Sequence, residues 1–426
     1  MAATEPKKGT QLFSDPHSES EPCGQGWCFA PTCPRGAAGG WFGCSWAFAF
    51  PIDFVPSHPS GVVSMRCRSF LRVLCLGLLV AAMPALQVRA ADALPDPDGK
   101  PADMTKPVKV FILMGQSNMV GMGNVGGADK PGTLEHATKT KGLYPFLVDD
   151  AGAWTERKDV RNVRVMVGRG GGMGVHNNEW MAVKGGKIGV ELGIGHELGN
   201  LLNEPVMVLK SCIGNRALGW DLLPPGSEAF EYKEVDKTGQ EKTMVYAGYK
   251  QSPDKWEKGT EPVAIGWYAG KQYDDDVGNA KKVLAELNTY YPDAKGYEVA
   301  GFFWWQGERD CGSAALSSRY EQNLVTLIAT LRKDFNCPNA PFVMATLGEA
   351  VKSEAQGNTT TVMNAMFNVD GESGKHPQFK GNVATIYSHP MAQGGSGNGH
   401  YGGNSEVYMD VGLEMGKAMA KMLRSK

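Results

Sequence analysis

The apolar run Val108-Lys109-Val110-Phe111-Ile112-Leu113-Met114 stops at Gly115-Gln116-Ser117-Asn118, and this junction constrains the fold more than any other stretch. A short β-branched and aromatic run bounded by glycine reads as a buried strand. A serine on the turn after such a strand stands at the carboxyl edge of a sheet, where open α/β folds place their ligands. Ser117 is therefore a candidate nucleophile, and the rest of the chain must supply a base, an orienting acid and an oxyanion site.

Residues 65–90 bear on the compartment. Met65-Arg66-Cys67-Arg68 and Arg72 form a basic start, and the stretch from Val73 to Leu86 is apolar except for Gly77 and Pro84. Val88-Arg89-Ala90 then puts small residues where a signal peptidase reads. This pattern is that of a secretory signal peptide, too short and wrongly flanked for a membrane span, so a secreted or periplasmic protein is expected. Its internal position is explained most economically if translation begins at Met65 and residues 1–64 are a miscalled extension. Those residues mix Pro, Gly, Ser, four cysteines and Trp27, Trp41 and Trp46 without a sustained period. A disordered or cysteine-stapled extension is the alternative.

Setting residues 1–90 aside removes six of the nine cysteines and leaves Cys212, Cys311 and Cys337. That allows at most one intrachain disulfide, with Cys311 and Cys337 as the pair to consider, so the fold is not a disulfide scaffold. No CxxC or histidine-rich neighbourhood indicates a metal, and no cofactor is expected. The formal net charge is −2 with both signs interspersed, so no basic stripe suggests nucleic acid. Residues 91–106 read as a linker, and residues 107–426 as one α/β domain with insertions.

Strand-like and helical runs alternate through that domain. Further strands are expected at Asn162–Val167, Pro205–Lys210, Glu298–Trp305, Pro341–Leu347 and Val383–Tyr387. Helices are expected at Ile188–Leu202, Asp274–Tyr291, Arg319–Phe335 and Glu406–Leu423. Strands separated by helices argue for a central, mostly parallel sheet covered on both faces, a three-layer α/β/α sandwich. The segment from Pro224 to Tyr273 is long, polar and aromatic, carrying Tyr246, Tyr249, Trp256 and Trp267. Such a segment reads as a lid or binding loop, although a small core of its own is an equal alternative.

Three strand ends then share one edge: Gly115-Gln116-Ser117-Asn118, Cys212-Ile213-Gly214-Asn215 and Trp304-Trp305-Gln306-Gly307-Glu308. Gly399-His400-Tyr401-Gly402-Gly403 adds a histidine before the last helix. A nucleophile, a base, amide donors and a carboxylate are the parts needed for acyl transfer. His136, His176, His196 and His389 have no partner block and read as structural or surface residues.

These blocks resemble those of the SGNH hydrolases, in particular the carbohydrate acetylesterase branch with the sialate O-acetylesterase-like domain and the acetylxylan esterases. That branch carries a GQSN block, an HQGE-like block and a histidine shortly before the C-terminal helix. The matches here are Gly115-Gln116-Ser117-Asn118, Trp305-Gln306-Gly307-Glu308, with tryptophan where histidine is frequent, and His400. The resemblance spans roughly residues 107–424 and implies a flavodoxin-like sandwich that removes acetyl groups from sugars. It implies Ser117 as nucleophile and His400 as base, with the Ser117 amide, the Gly214 amide and the Gln306 side chain as oxyanion donors. Gly193 is the alternative to Gly214, set aside because it falls within a helix. Asn118 and Gln116 are expected to brace the serine turn.

One departure stands out. Many SGNH enzymes carry aspartate three residues before the histidine, and here that residue is Gly397. Glu308 is the expected acid, Asp310 the second choice, and a backbone carbonyl a third way to orient His400. A simple pairing of Glu308 with Arg309 or Arg216 is the competing reading. Trp305, Trp256 and Trp267 are candidate sugar-stacking residues, with core as the competing role for the Trp304-Trp305 pair. Gly121-Met122-Gly123-Asn124-Val125-Gly126 is a literal GxGxxG, but a turn rather than a helix follows, which argues against a dinucleotide site. Met119 fills the last position of a GxSxG elbow, so the α/β-hydrolase motif is absent. The non-catalytic alternative is a secreted glycan-binding protein on the same fold.

Overall fold

The computed structural model describes residues 94–168 and 171–425. The signal peptide and the extension read at residues 1–90 lie outside the described residues. Residues 94–107 carry no helix or strand.

The chain enters the sheet at β1 (Val108–Gly115), then forms β2 (Glu156–Val167), β3 (Met173–Ala182), α1 (Glu191–Leu201) and β4 (Val206–Ser211). A small subsheet follows, β5 (Phe230–Val235), β6 (Glu241–Tyr246) and β7 (Lys255–Glu257), before α2 (Lys271–Ala285). The second half contributes β8 (Tyr297–Trp305), α3 (Tyr320–Asp334), β9 (Phe342–Ala345), α4 (Asn358–Val369), β10 (Val383–Ile386) and α5 (Ser405–Arg424). The main sheet runs β10-β9-β8-β1-β4-β2-β3, parallel throughout except at the β2–β3 pair. Without that outer hairpin, the five parallel strands have the flavodoxin-like order, with the switch point between β1 and β8.

Side-chain alternation builds the three layers. Val110, Ile112, Met114, Phe302 and Trp304 join the core under α2, α3 and α4. Phe111, Leu113, Phe303 and Trp305 join the opposite core under α1 and α5. A period of two along each strand sends neighbouring residues to opposite faces, so both faces of β1 and β8 are apolar. Gly193 sits in α1, where a Cβ would press on the α5 backbone at Leu413. No helix among the described residues is long and apolar enough to cross a membrane.

Three expectations change. The β2–β3 hairpin is longer than the expected strand at 162–167, and β3 was not expected because its exposed edge carries His176, Asn177, Asn178 and Glu179. Helix α4 starts on Asn358-Thr359-Thr360-Thr361, poor helix formers, yet buries Val362, Met363 and Met366. The segment from 224 to 273, read as a lid or binding loop or as a small core of its own, has that core and adds three strands that were not expected. Phe230-Glu231-Tyr232-Lys233-Glu234-Val235 alternates half-buried and exposed residues, and the turn after it is tied by Asp236 Oδ1 to the amides of Thr238 and Gln240. Leu223, Ala247 and Ala269 form a small core there, against which Trp220 and Trp256 pack.

The junction after β1 requires glycine. Gly115 has φ +149°, and a Cβ there would overlap the Trp305 carbonyl oxygen on β8. The backbone conformation alone costs a non-glycine residue roughly 1–3 kcal/mol. Gly115→Ala is therefore expected to lower the urea unfolding midpoint clearly, and an unchanged midpoint would contradict the tight β1–β8 junction.

Candidate active site

Ser117 opens a single helical turn, Ser117–Val120, directly after β1. The turn is anchored by the Gln116 amide on the Trp305 carbonyl at 3.3 Å and, at its far end, by the buried Lys210. Lys210 Nζ donates to the Val120 carbonyl at 2.9 Å and pairs with Glu191 at 2.5 Å. His400 Nε2 lies 2.9 Å from Ser117 Oγ, although the two residues are 283 positions apart. This is hydrogen-bond reach for a base and its nucleophile.

The histidine loop is held in an unusual conformation. His400 and Tyr401 have φ of 50° and 52°, in the left-handed region, and Gly402 and Gly403 continue it. Such conformations persist when their surroundings hold them. Tyr401 supplies the grip: it is buried, stacks on Trp305 with ring centroids 5.7 Å apart, and its hydroxyl accepts from the Gly348 amide at 3.2 Å.

Gly214, after β4, faces the serine: a Cβ built on it would lie 3.4 Å from Ser117 Cβ. Gln306 is different. It is fully buried, and its side-chain nitrogen donates to the Arg216 carbonyl at 2.8 Å and to Asp310 at 2.6 Å. Its side-chain oxygen accepts from Tyr320 at 3.0 Å. The expected role of Gln306 as an oxyanion donor is corrected accordingly, because both of its N–H groups already have partners in the interior.

Glu308 is corrected too. No carboxylate pairs with either ring nitrogen of His400 among the described residues. The Glu308 carboxylate instead accepts from the side-chain amides of Gln116 and of Asn118, the latter at 2.6 Å. It is buried, so these two amides supply the hydrogen bonds that water would otherwise give. Nor does it pair with Arg309 or Arg216. Asn118 is fully engaged, since it also donates to the Gly397 carbonyl at 3.1 Å and accepts from Tyr408 at 2.9 Å. Gln116 and Asn118, on either side of Ser117, thus both donate their side-chain amides to Glu308. Asp310 accepts from the amides of Leu218 and Gly219, both at 2.8 Å, and so belongs to the loop after β4.

The aromatic candidates separate. Trp305 is fully buried with its indole donating to the Thr346 carbonyl at 3.0 Å, so it is a core residue and not a sugar platform. Trp256 packs in the subsheet's small core. Trp267 reaches the site's surroundings: the Arg216 guanidinium lies 5.1 Å from its ring centroid, and the Arg216 amide donates to Gln116 Oε1 at 3.3 Å. Tyr408, Tyr401 and Glu349 were missed from sequence. Glu349 follows β9 at the same sheet edge that singled out Glu308, and that rule was the available signal.

The Glu308 carboxyl is raised to about 7 from an ordinary 4.5, chiefly by burial and also by the nearby Glu349, against the hydrogen bonds from its own backbone amide, Asn118 and Gln116. Asp310 is raised by burial to about 6. As pH climbs from the ordinary value to the native one, the unfolded chain releases the Glu308 proton first, so native stability falls with rising pH. Glu308→Gln cannot titrate and should remove this part of the slope, while Asp310 contributes equally to both proteins. Urea unfolding free energies at about pH 5 and about pH 7.5 measure it. An identical slope in the variant would refute the shift.

Residues 244–421 match the family described as carbohydrate esterase, sialic acid-specific acetylesterase. That span takes in Gln306, Glu308 and His400, and begins after Ser117 and Gly214. No curated protein matches the chain. Among solved structures, a protein from Arabidopsis thaliana is 15% identical with TM-score 0.39, covering 74% of this chain and 98% of its own. A carbohydrate acetylesterase from Xanthomonas citri is 15% identical with TM-score 0.40, covering 75% of this chain and 57% of its own. NanS is 13% identical with TM-score 0.37, covering 72% of this chain and 98% of its own. The family match supports a carbohydrate acetylesterase, and this chain resembles the carbohydrate acetylesterase branch of the SGNH hydrolases.

Proposed function

We propose that the protein is a secreted serine esterase that removes O-acetyl groups from carbohydrates through an acyl-enzyme on Ser117. The observation that carries this reading is the 2.9 Å hydrogen bond between Ser117 Oγ and His400 Nε2 at the carboxyl edge of the sheet. Ser117 Oγ attacks the acetyl carbonyl carbon as His400 takes the hydroxyl proton. The Ser117 and Gly214 amides receive the oxyanion. Each such donor is worth about 2.7–4 kcal/mol in comparable sites. On collapse, the bond from the acetyl carbon to the sugar oxygen breaks, and His400 returns its proton to that oxygen. Water, deprotonated by His400, then attacks the acetyl-serine and releases acetate, with the proton returning to Ser117.

Secretion rests on the signal-peptide pattern at residues 65–90, which makes acetylated polysaccharides or glycans outside the cytoplasm the accessible substrates. No metal or cofactor enters this scheme. Residues 107–426 would act as the catalytic domain, with the subsheet segment as an insertion. Trp267 and Arg216 at the rim are the candidate sugar contacts, a ring face and a cation that suit a polar pyranose.

A second reading is a glycan-binding protein without turnover, favoured by the lack of a carboxylate partner for the His400 imidazole among the described residues. Release of acetate from acetylated glycans, and hydrolysis of p-nitrophenyl acetate, separate the two. Ser117→Ala and His400→Ala are each expected to lower kcat by at least roughly 1,000-fold with the fold intact. Wild-type turnover no higher than that of Ser117→Ala would favour the binding protein.

A further inference from the structure

We infer that Glu349 is a positioning residue for His400, holding the histidine loop through the Gly397 peptide; this rests on the Ser117–His400 reading above. Glu349 stands in the turn after β9, and its Oε2 accepts from the Gly397 amide at 2.8 Å. The carbonyl of the same residue accepts from the His400 amide at 3.0 Å and from Asn118 Nδ2 at 3.1 Å. The Gly397 backbone is thus the meeting point of three elements: the β9 turn, the serine turn and the histidine loop.

Only glycine permits this meeting. A Cβ on residue 397 would fall 2.6 Å from Glu308 Oε1 and 2.9 Å from Glu349 Oε2. Two carboxylates from separate strands therefore converge on the space where a side chain at this position would begin. An acid carried by the loop itself is exchanged here for one that grips the loop from β9.

The grip is built on a firm base. Gln356 Nε2 donates to the Glu349 carbonyl at 3.1 Å, and Gln356 Oε1 accepts from the Val351 amide at 2.8 Å. The preceding residue, Gly348, donates to the Tyr401 hydroxyl, so two consecutive residues hold the loop on either side of His400. With no carboxylate on the imidazole, the ring's aim depends on how this loop is seated. A small displacement of a base relative to its nucleophile can cost on the order of 100-fold in rate.

The test compares Glu349→Ala with Glu349→Gln in p-nitrophenyl acetate hydrolysis, alongside their urea unfolding midpoints. Glutamine keeps an oxygen that can accept from the Gly397 amide, and alanine does not. Glu349→Ala is expected to lower kcat by roughly 10- to 100-fold with KM within about twofold, and Glu349→Gln to restore most of kcat. Wild-type kcat in Glu349→Ala would overturn the role, as would equal loss in both variants. The histidine ring NMR signal absent from His400→Ala gives a readout independent of turnover. It should shift in Glu349→Ala and stay near its native position in Glu349→Gln. If the wild-type protein turns over no ester, the esterase reading fails while this signal still tests the seating of His400; an unmoved signal in Glu349→Ala overturns it.

Discussion

The site depends on one buried carboxylate. Glu308 sits at the end of β8 and receives the side-chain amides of Gln116 and Asn118, the residues on either side of Ser117 at the end of β1. An ionisable group taken out of water is costly unless it is well hydrogen-bonded, and two amides from one turn meet that need. The geometry works in both directions. The amides keep the carboxylate in the interior, and the carboxylate fixes the turn on which the serine stands. It does so at the β1–β8 switch point, where an open α/β sheet leaves room for a ligand.

The histidine arrives by a different physical route. Its loop adopts left-handed backbone at His400 and Tyr401, which local sequence does not favour. The compensation is tertiary. Tyr401 stacks on Trp305 from β8, Asn118 binds the Gly397 carbonyl, and Glu349 binds the Gly397 amide. Trp305 is therefore the floor of the His400 loop. Its apolar neighbours and the indole bond to Thr346 explain why a tryptophan next to the site has no exposed face for a sugar.

Much of the site was legible because strand ends are legible. The apolar runs and their glycine stops put Ser117, Gly214 and Gln306 on one edge. Orientation was not legible. Gln306 lies at the right edge yet points into the interior, because Asp310 four residues on and the Arg216 carbonyl take both of its N–H groups. Glu308 likewise lies where an acid was wanted, but the two amides of the serine turn capture it first. The strands of the subsheet at residues 230–257 were not legible for a related reason: their half-exposed alternation carries little apolar signal, and the core there amounts to Leu223, Ala247 and Ala269 with two tryptophans laid against them.

The sequence by itself determined the layers and which turns offer a candidate nucleophile and base. Those follow from period-two burial, helical periodicity and glycine-bounded turns, all of which are local. Tertiary structure alone decided which carboxylate serves which partner. Glu308, Asp310 and Glu349 share one sheet edge and similar chemistry, and each is claimed by whichever buried N–H groups packing brings within reach. That competition among donors far apart in the chain leaves no local trace, so the acid behind His400 that a strand-end motif suggests becomes, in the folded protein, the brace beneath Ser117.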